Sequence, residues 1–176
     1  MQIRPYKKGD ESQIVWLINN TWRTAYKDIF PCEVFDVRDK TVDDRIKSFE
    51  TCLVENNRIC FVAEEDSKIV GVLVGELKTN IEKFDKDGYA RIIILYIDKD
   101  FQHQKIGYSL FKQFVDELKK NNKEKFIIGA LKDNKQGRSA YERWGGVLTD
   151  YTEEFVVLNV SREEVFYKYD VKNINS

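Results

Sequence analysis

A chain of 176 residues, 42% hydrophobic and 13% aromatic, is long and apolar enough to fold around one substantial core. Two prolines and nine glycines exclude a collagen-like or low-complexity chain. The formal net charge is −1, from 29 basic and 30 acidic residues, so the strong positive charge of a dedicated nucleic-acid-binding protein is missing.

The composition also bears on location and on metal binding. The longest uninterrupted apolar run, residues 92–97, is far shorter than the ~20 residues that span a bilayer. The charged first ten residues do not resemble a signal peptide. Cys32, Cys52 and Cys60 form no CxxC motif and predict reduced thiols, while the single histidine, His103, leaves a zinc site short of ligands. We expect a cytoplasmic protein with no metal, no membrane association and no nucleic-acid partner.

The first third of the chain predicts one strand and two helices. Residues 3–6 are predicted as a short strand. Asp10 or Ser12 can cap a first helix, whose apolar residues follow with helical spacing. A second helix follows Pro31, and its predicted body is Val42 to Glu50.

The middle of the chain is rich in β-branched and aromatic residues, which favour strands. Three strands are predicted, over residues 58–64, 69–77 and 89–97. A polar hairpin turn, residues 65–68, joins the first two. The longer charged loop, residues 78–88, can overhang a site.

The last part of the chain alternates helices with strands. The predicted elements are a helix over 105–121, a buried strand over 126–131, a helix over 136–144 that Gly145 and Gly146 end, and strands over 153–160 and 164–169. The apolar strands 155–160 and 166–169 either complete the sheet or pair across a homodimer.

This order of elements predicts an α/β (mixed α+β) fold. The order is β-α-α-β-β-β-α-β-α-β-β, and its β-helix-β crossover predicts two parallel strands beside a run of antiparallel ones. We expect a central mixed, mostly antiparallel sheet of about seven strands with helices on both faces. It forms a single domain, residues 1–171, followed by a short tail, residues 172–176.

In open α/β sheets, ligands bind beyond the carboxyl ends of strands and near helix amino termini, so the turn from Asp98 to Gly107 is the place to look. The unpaired N–H groups at a helix start can bind a phosphate. The residues alone favour an ordinary polar loop in which Gly107 allows close helix–sheet packing. Neither a GxGxxG nor a GxxxxGK[ST] motif is present.

This turn resembles the pyrophosphate-binding motif of the GNAT superfamily of acetyl-CoA-dependent acyltransferases. That motif is Gln or Arg, two residues, Gly, one residue, then Gly or Ala. Gln102, Lys105 and Gly107 occupy the three positions. Lys105 replaces the first glycine, a change that is tolerable if this residue is already helical, and Lys99 stands where a proline is common.

A second segment, residues 134–146, is similar to the superfamily's helix "N, small residue, F-Y-E-K-x-G-F". Ala140 replaces the usual aromatic residue and Gly146 the final Phe. The resemblance implies that Asn134 meets the pantetheine arm of the cofactor and that the Tyr141 hydroxyl faces its sulfur. The first strand and the Ile69-Val70-Gly71 strand also resemble the family, so the similarity spans nearly the whole chain.

The resemblance implies a GNAT-like N-acetyltransferase domain. Acetyl-CoA would be the co-substrate, and the acetyl group would pass directly, in a ternary complex, to a primary amine of a small molecule or a protein. The residues implied to contact acetyl-CoA are Tyr96, Ile97, Gln102, His103, Gln104, Lys105, Ile106, Gly107, Tyr108, Asn134, Ser139 and Tyr141.

The chemical step needs a neutral amine and a proton donor at the leaving sulfur. Tyr141 fits the donor; without the resemblance it is a core aromatic residue of an amphipathic helix. Glu76 and Asp98, at strand ends, are the candidates for the base, and the alternative for each is a solvated charge.

Trp22, Tyr26 and Phe30 follow the spacing i, i+4, i+8, so they form either a core stripe or an aromatic wall for the amine acceptor. Two other activities are open, namely a non-catalytic acyl-CoA sensor and an enzyme that transfers a longer acyl group or acetylates protein amino termini.

Overall fold

The structure, a computed structural model, describes residues 1–55 and 58–174. Its helices and strands are β1 (Gln2–Pro5), α1 (Glu11–Ala25), α2 (Cys32–Lys40), α3 (Val42–Glu55), β2 (Arg58–Glu65), β3 (Lys68–Glu76), α4 (Glu82–Asp85), β4 (Ala90–Ile97), α5 (Ile106–Lys120), β5 (Lys125–Leu131), α6 (Lys135–Arg143), β6 (Val147–Val157) and β7 (Val160–Asp170). Short 3-10 helices cover Lys99–Phe101 and Val171–Asn173.

The described strands form one seven-stranded sheet in the order β1-β2-β3-β4-β5-β7-β6. β4 and β5 run parallel, with Ala90 opposite Phe126. β1 is antiparallel to β2, and β7 is antiparallel to both β5 and β6. The predicted mixed, mostly antiparallel sheet and its parallel crossover are therefore confirmed.

The order of elements differs from the prediction by two helices. α2 lies where only a connection was expected. This helix was not predicted because it buries no more than Val34 and Phe35 and has almost no apolar stripe. The short helix α4 lies inside the charged loop and buries Phe84. The strand predicted over 153–160 is wrong at both ends. The observed strand β6 starts at Val147 and ends at Val157, and β7 starts at Val160.

The chain divides into two compact units. The first contains Met1–Gly75 and Ile94–Phe114. In this unit Arg4, whose side chain is 15% exposed, pairs with the buried carboxylate of Asp10 and with Glu64. Gly71 leaves space for its neighbours, because a Cβ there would lie 2.9 Å from the Ile97 Cδ1.

The second unit contains Glu76–Ile93 and Val115–Ser176. Phe126 and Tyr169 stack in its core with ring centroids 4.6 Å apart, and Phe84 of α4 packs edge-on against Tyr151. In the segment predicted as a tail, residues 172–173 belong to a 3-10 helix and Ile174 is buried, while residues 175–176 lie outside the described residues.

Candidate active site

The turn between β4 and α5, in the first unit, is built around Asp98. One carboxylate oxygen of Asp98 accepts a hydrogen bond from the backbone N–H of Asp100 and so caps the 3-10 helix. The other pairs with the ammonium group of Lys68 at 2.8 Å. The backbone N–H of Asp98 donates to the Val70 carbonyl at 2.9 Å. The carboxylate of Asp98 is therefore already used to hold this turn in place.

Lys105 precedes the first residue of α5 and is not helical. The replacement of glycine by Lys105 was expected to be tolerable if this residue is helical, and that condition is not met. Its φ is +64° and that of His103 is +62°, both in the left-handed region that favours glycine. The carbonyl of Lys105 accepts a hydrogen bond from Ser109, so Lys105 caps α5 at the position where the motif has its first glycine. A lysine side chain is therefore present where the backbone has a conformation that favours glycine.

The start of α5 can receive an anion. The helix α5 begins at Ile106, and the positive end of a helix dipole at such an amino terminus attracts negative charge. The first turn of α5 carries no acidic residue, and the exposed Lys105 stands immediately before it. Gln102 donates a hydrogen bond from its side chain to the Ile97 carbonyl at 3.3 Å. These features suit a diphosphate.

The three aromatic residues of the predicted acceptor wall are buried, with exposures of 5%, 7% and 3% for Trp22, Tyr26 and Phe30. The Trp22 and Phe30 rings stack at 5.7 Å, and Tyr26 meets both rings edge-on. The Trp22 Nε1 donates to the Tyr96 hydroxyl at 3.0 Å, and the Tyr26 and Tyr96 hydroxyls lie 3.4 Å apart. The cluster thus joins the core stripe to strand β4.

Sequence reasoning missed two arginines beside this cluster. The guanidinium carbon of Arg38 lies 3.8 Å from the centre of the Trp22 ring. Arg45 donates a hydrogen bond to the Asn19 side chain. Since Arg38 lies on the helix that the prediction lacked, no periodic pattern pointed to it.

The second unit contains Asn134 and the helix α6. The Asn134 Oδ1 accepts a hydrogen bond from the Gly137 N–H at 3.0 Å and caps α6, so the amide NH2 is the side of this group that can donate to a ligand. A Cβ at Gly137 would lie 2.7 Å from the Asn134 Nδ2. The glycine of this motif therefore lets the asparagine fold over the helix start. Ser139 accepts a hydrogen bond from Arg143 at 3.1 Å.

Tyr141 is buried, with 9% of its surface exposed. Its ring packs edge-on against Tyr167, and its carbonyl accepts a hydrogen bond from the Tyr169 hydroxyl at 2.8 Å. The same hydroxyl explains Gly146, because a Cβ there would lie 2.6 Å from it. The departure from the family's final Phe is thus matched by Tyr169.

Of the two base candidates, Asp98 holds the turn described above, and Glu76 is half-buried at the end of β3. The structure adds a third carboxyl group, Glu164 on β7. Burial raises the pKa of Glu164, and nearby Arg91 acts against that rise. A Cβ at Gly129 would lie 2.1 Å from the Glu164 Oε1, so this carboxyl group packs against bare backbone. A glycine inside an apolar strand was the available signal.

Within residues 1–55 and 58–174, no group of three or more His, Cys, Asp or Glu residues lies close enough together to hold a metal ion. No helix in the same residues combines the length and the apolar character needed to cross a bilayer.

Comparison with known proteins identifies the family. The model of the acetyltransferase (GNAT) family matches residues 20–146. The chain is 29% identical over 87 residues to N-alpha-acetyltransferase 30 of Dictyostelium discoideum, a match that covers 49% of this chain and 45% of that protein. The chain therefore spans less than half the length of this relative.

Two solved structures share the fold. The PaiA N-acetyltransferase of Thermoplasma acidophilum, in complex with coenzyme A, has a TM-score of 0.72 at 20% identity, over 96% of this chain and 100% of its own. YncA of Salmonella typhimurium, with its cofactor acetyl-CoA, has a TM-score of 0.70 at 15% identity, over 100% and 96%. Because the family model matches most of the chain and the fold agrees, the protein belongs to the GNAT acetyltransferase family.

Proposed function

We propose that this protein transfers the acetyl group of acetyl-CoA to a primary amine in a ternary complex. The observation that carries the proposal is the turn before α5. Its Lys105 has a left-handed backbone, which favours glycine, at the position where the family motif has its first glycine, and the start of α5, with no acidic residue in its first turn, follows directly. Neighbours solved with coenzyme A and acetyl-CoA support the same co-substrate. The residues proposed to contact it are those that the resemblance implied.

The proposed chemistry balances without a metal. The amine nitrogen attacks the thioester carbonyl, so that a C–N bond forms and the C–S bond breaks. A base removes a proton from the amine, and the Tyr141 hydroxyl gives a proton to the departing thiolate. The products are the N-acetylated amine and the free thiol of coenzyme A. Holding both substrates in a fixed geometry supplies much of the acceleration.

We assign the base to Glu76 in preference to Asp98. Asp98 already caps a 3-10 helix and pairs with Lys68, so removing it would disturb the turn itself. Glu164 is the competing choice for the base. Burial raises its pKa, and a carboxylate with a higher pKa binds a proton more strongly. The pH dependence of kcat in Glu76→Gln and Glu164→Gln separates the two.

We also infer that residues 1–171 act as one acetyltransferase domain, since the family match runs through both compact units. Among residues 1–55 and 58–174, Cys32, Cys52 and Cys60 form no disulfide bond, which supports a reducing cytoplasm as the place of reaction. The near-zero net charge favours a small ligand over a nucleic acid. β7 pairs with β5 and β6 inside the chain, so its backbone is already used in the sheet. A homodimer stays a prediction, and light scattering is the measurement that checks it.

The test is a titration of acetyl-CoA by calorimetry together with an assay of thiol release against a mixed panel of amines. Tyr141→Phe should keep the binding and lose most of the thiol release. Tyr6→Phe is the matched control, since its hydroxyl bonds to Glu11 at the amino-terminal end of the chain. Absence of acetyl-CoA binding would contradict the proposal. Binding without thiol release from any amine would favour the acyl-CoA sensor.

A further inference from the structure

A positive charge sits on the aromatic cluster of the first unit. The guanidinium carbon of Arg38, on α2, lies 3.8 Å from the centre of the Trp22 ring. The Arg38 Nε is buried and has no hydrogen-bond partner among the described residues. A buried donor without a partner costs stability, so the protein keeps a group here that its own fold does not satisfy.

A second guanidinium group lies close to the first. Arg45, on α3, donates to the Asn19 side-chain oxygen. Asn19, on α1, also donates to the Arg38 carbonyl at 3.1 Å, and this bond joins α1 to α2. Burial lowers the pKa of Arg38 to about 10, and the charge of Arg45 adds to the effect. Two like charges are thus held together at a cost in stability.

The nearby residues of this unit do not neutralise the pair. The charge of Asp39 acts to raise the pKa of both arginines. Its carboxylate is bound by the side chain of Arg23, which donates from its Nε at 3.1 Å, and by Asn19 at 3.3 Å. Within residues 1–55 and 58–174, Arg38 forms no ion pair. The other two groups that act against the lowering of the Arg38 pKa are the hydroxyls of Tyr26 and Tyr96.

The position of Arg38 also changes the role of Trp22. A ring face that already carries a guanidinium group cannot stack on the ammonium group of a substrate as well. The hypothesis that Trp22 attracts a cationic acceptor therefore loses its support. What the cluster presents is positive charge, and the ligand that complements it is an anion.

We propose that Arg38 and Arg45 bind a carboxylate of the acceptor, so that the amine acetylated here carries a carboxylate group. Guanidinium groups bind carboxylates with two parallel hydrogen bonds, and no described residue accepts a hydrogen bond from the Arg38 Nε. Tyr96 lies beside both arginines on β4, the strand whose residues Tyr96 and Ile97 are proposed to contact acetyl-CoA. This inference rests on the proposed function, because it names the substrate class of the same site.

The test compares amines that differ only in the carboxylate. The small-molecule pair is 4-aminobutyrate and 4-aminobutanamide; the peptide pair is Asp-Ala-Ala and Asn-Ala-Ala, both with amidated ends. Spermidine represents cationic acceptors. Thiol release from acetyl-CoA is measured for the wild type, Arg38→Gln and Arg38→Lys. Lys40→Gln is the control, because it removes an exposed charge from the same helix.

We expect kcat/KM to be at least tenfold higher for the carboxylate member of one pair, and the pair that shows it identifies a small or a peptide acceptor. Arg38→Gln should remove this preference by raising KM, Arg38→Lys should keep part of it, and Lys40→Gln should keep all of it. Equal use of both members in both pairs, a preference for spermidine, or a preference that survives Arg38→Gln would overturn the inference.

A second readout separates this inference from the proposed function. If no amine releases thiol, the transfer reaction fails, but 4-aminobutyrate should still raise the melting temperature of the wild type and not that of Arg38→Gln. Acetyl-CoA binding by calorimetry shows that Arg38→Gln is folded. Neither 4-aminobutyrate nor Asp-Ala-Ala raising the melting temperature would contradict the carboxylate site independently of catalysis.

Discussion

The indole Nε1 of Trp22 donates a hydrogen bond to the hydroxyl of Tyr96 across 3.0 Å. Trp22 lies on α1 and Tyr96 on β4, so this bond fixes the aromatic cluster to the strand whose residues Tyr96 and Ile97 are proposed to contact acetyl-CoA. Because Trp22 is only 5% exposed, its N–H has no ready access to water as an alternative partner.

Tyr96→Phe should therefore destabilise the protein. The buried N–H of Trp22 loses its acceptor, and we expect the free energy of unfolding to fall by about 1–2 kcal/mol. Urea denaturation measures the loss. A double-mutant cycle with Trp22→Phe is the control, since it isolates the coupling of the two side chains; a coupling energy of zero would show that the bond contributes nothing.

Lys105→Gly should stabilise the protein. A left-handed backbone costs a residue with a Cβ roughly 1–2 kcal/mol, and glycine removes that cost. Glycine also gives the unfolded chain more conformational freedom, which offsets part of the gain. We expect a net gain of about 1 kcal/mol in urea denaturation. Lys105→Ala keeps the Cβ and should gain nothing, so an equal gain in both variants would assign the effect to the lost charge instead.

Gly71→Ala should be destabilising because the new methyl group has no room. It would lie 2.9 Å from the Ile97 Cδ1, 3.1 Å from the Leu110 Cδ1 and 3.3 Å from the Ala63 Cβ. Overpacking of this kind costs about 1–3 kcal/mol. Ile97→Val removes the closest atom, so the double variant should recover part of the loss on thermal unfolding. Equal stability of Gly71→Ala and the wild type would refute the packing argument.

Glu164→Gln should stabilise the protein at neutral pH and not at acidic pH. Burial raises the pKa of Glu164 above the value of about 4.5 in an unfolded chain. The folded state therefore binds the Glu164 proton more tightly than the unfolded chain does. The stability that protonated Glu164 contributes is fully present below pH 4.5, the unfolded pKa, and is lost as the pH rises through the folded pKa. The difference between variant and wild type should grow over the same range.

Urea denaturation between pH 3.5 and pH 8 measures that difference. Glu154→Gln is the matched control, because Glu154 is exposed on the neighbouring strand β6 and should show a flat difference. Parallel curves for Glu164→Gln and the wild type over the whole range would mean that the carboxyl group is not desolvated.

The sheet was predictable because its strands carry strong local signals. β2 to β5 are short apolar runs, and the turn between β2 and β3 is made by Asp66 and Ser67, polar residues that tolerate the observed positive φ. α2 was not predictable by periodicity, since a nine-residue helix with two buried side chains has no stripe to detect. β6 was predicted too short because its first residues, Val147 and Leu148, are exposed and precede an irregularity in register.

The candidate site was predictable only where its residues are close together in the sequence. The turn at 98–107 and the helix after Asn134 are continuous motifs, and their resemblance to one family could be read directly. Arg38, Arg45 and Trp22 come from three helices, and Glu164 meets Gly129 across two strands. Such groupings depend on how the chain packs, which no spacing in one segment reveals.

The edge strand β1 sets an order of events during synthesis. Gln2 pairs with Glu64, so β1 has no partner strand until about 60 more residues have been synthesised. At 5–20 residues per second this delay is about 3–12 s. The β2–β3 and β6–β7 hairpins close within their own neighbourhoods, whereas β1 stays unpaired through this interval and is where the nascent chain is exposed to a chaperone or a protease.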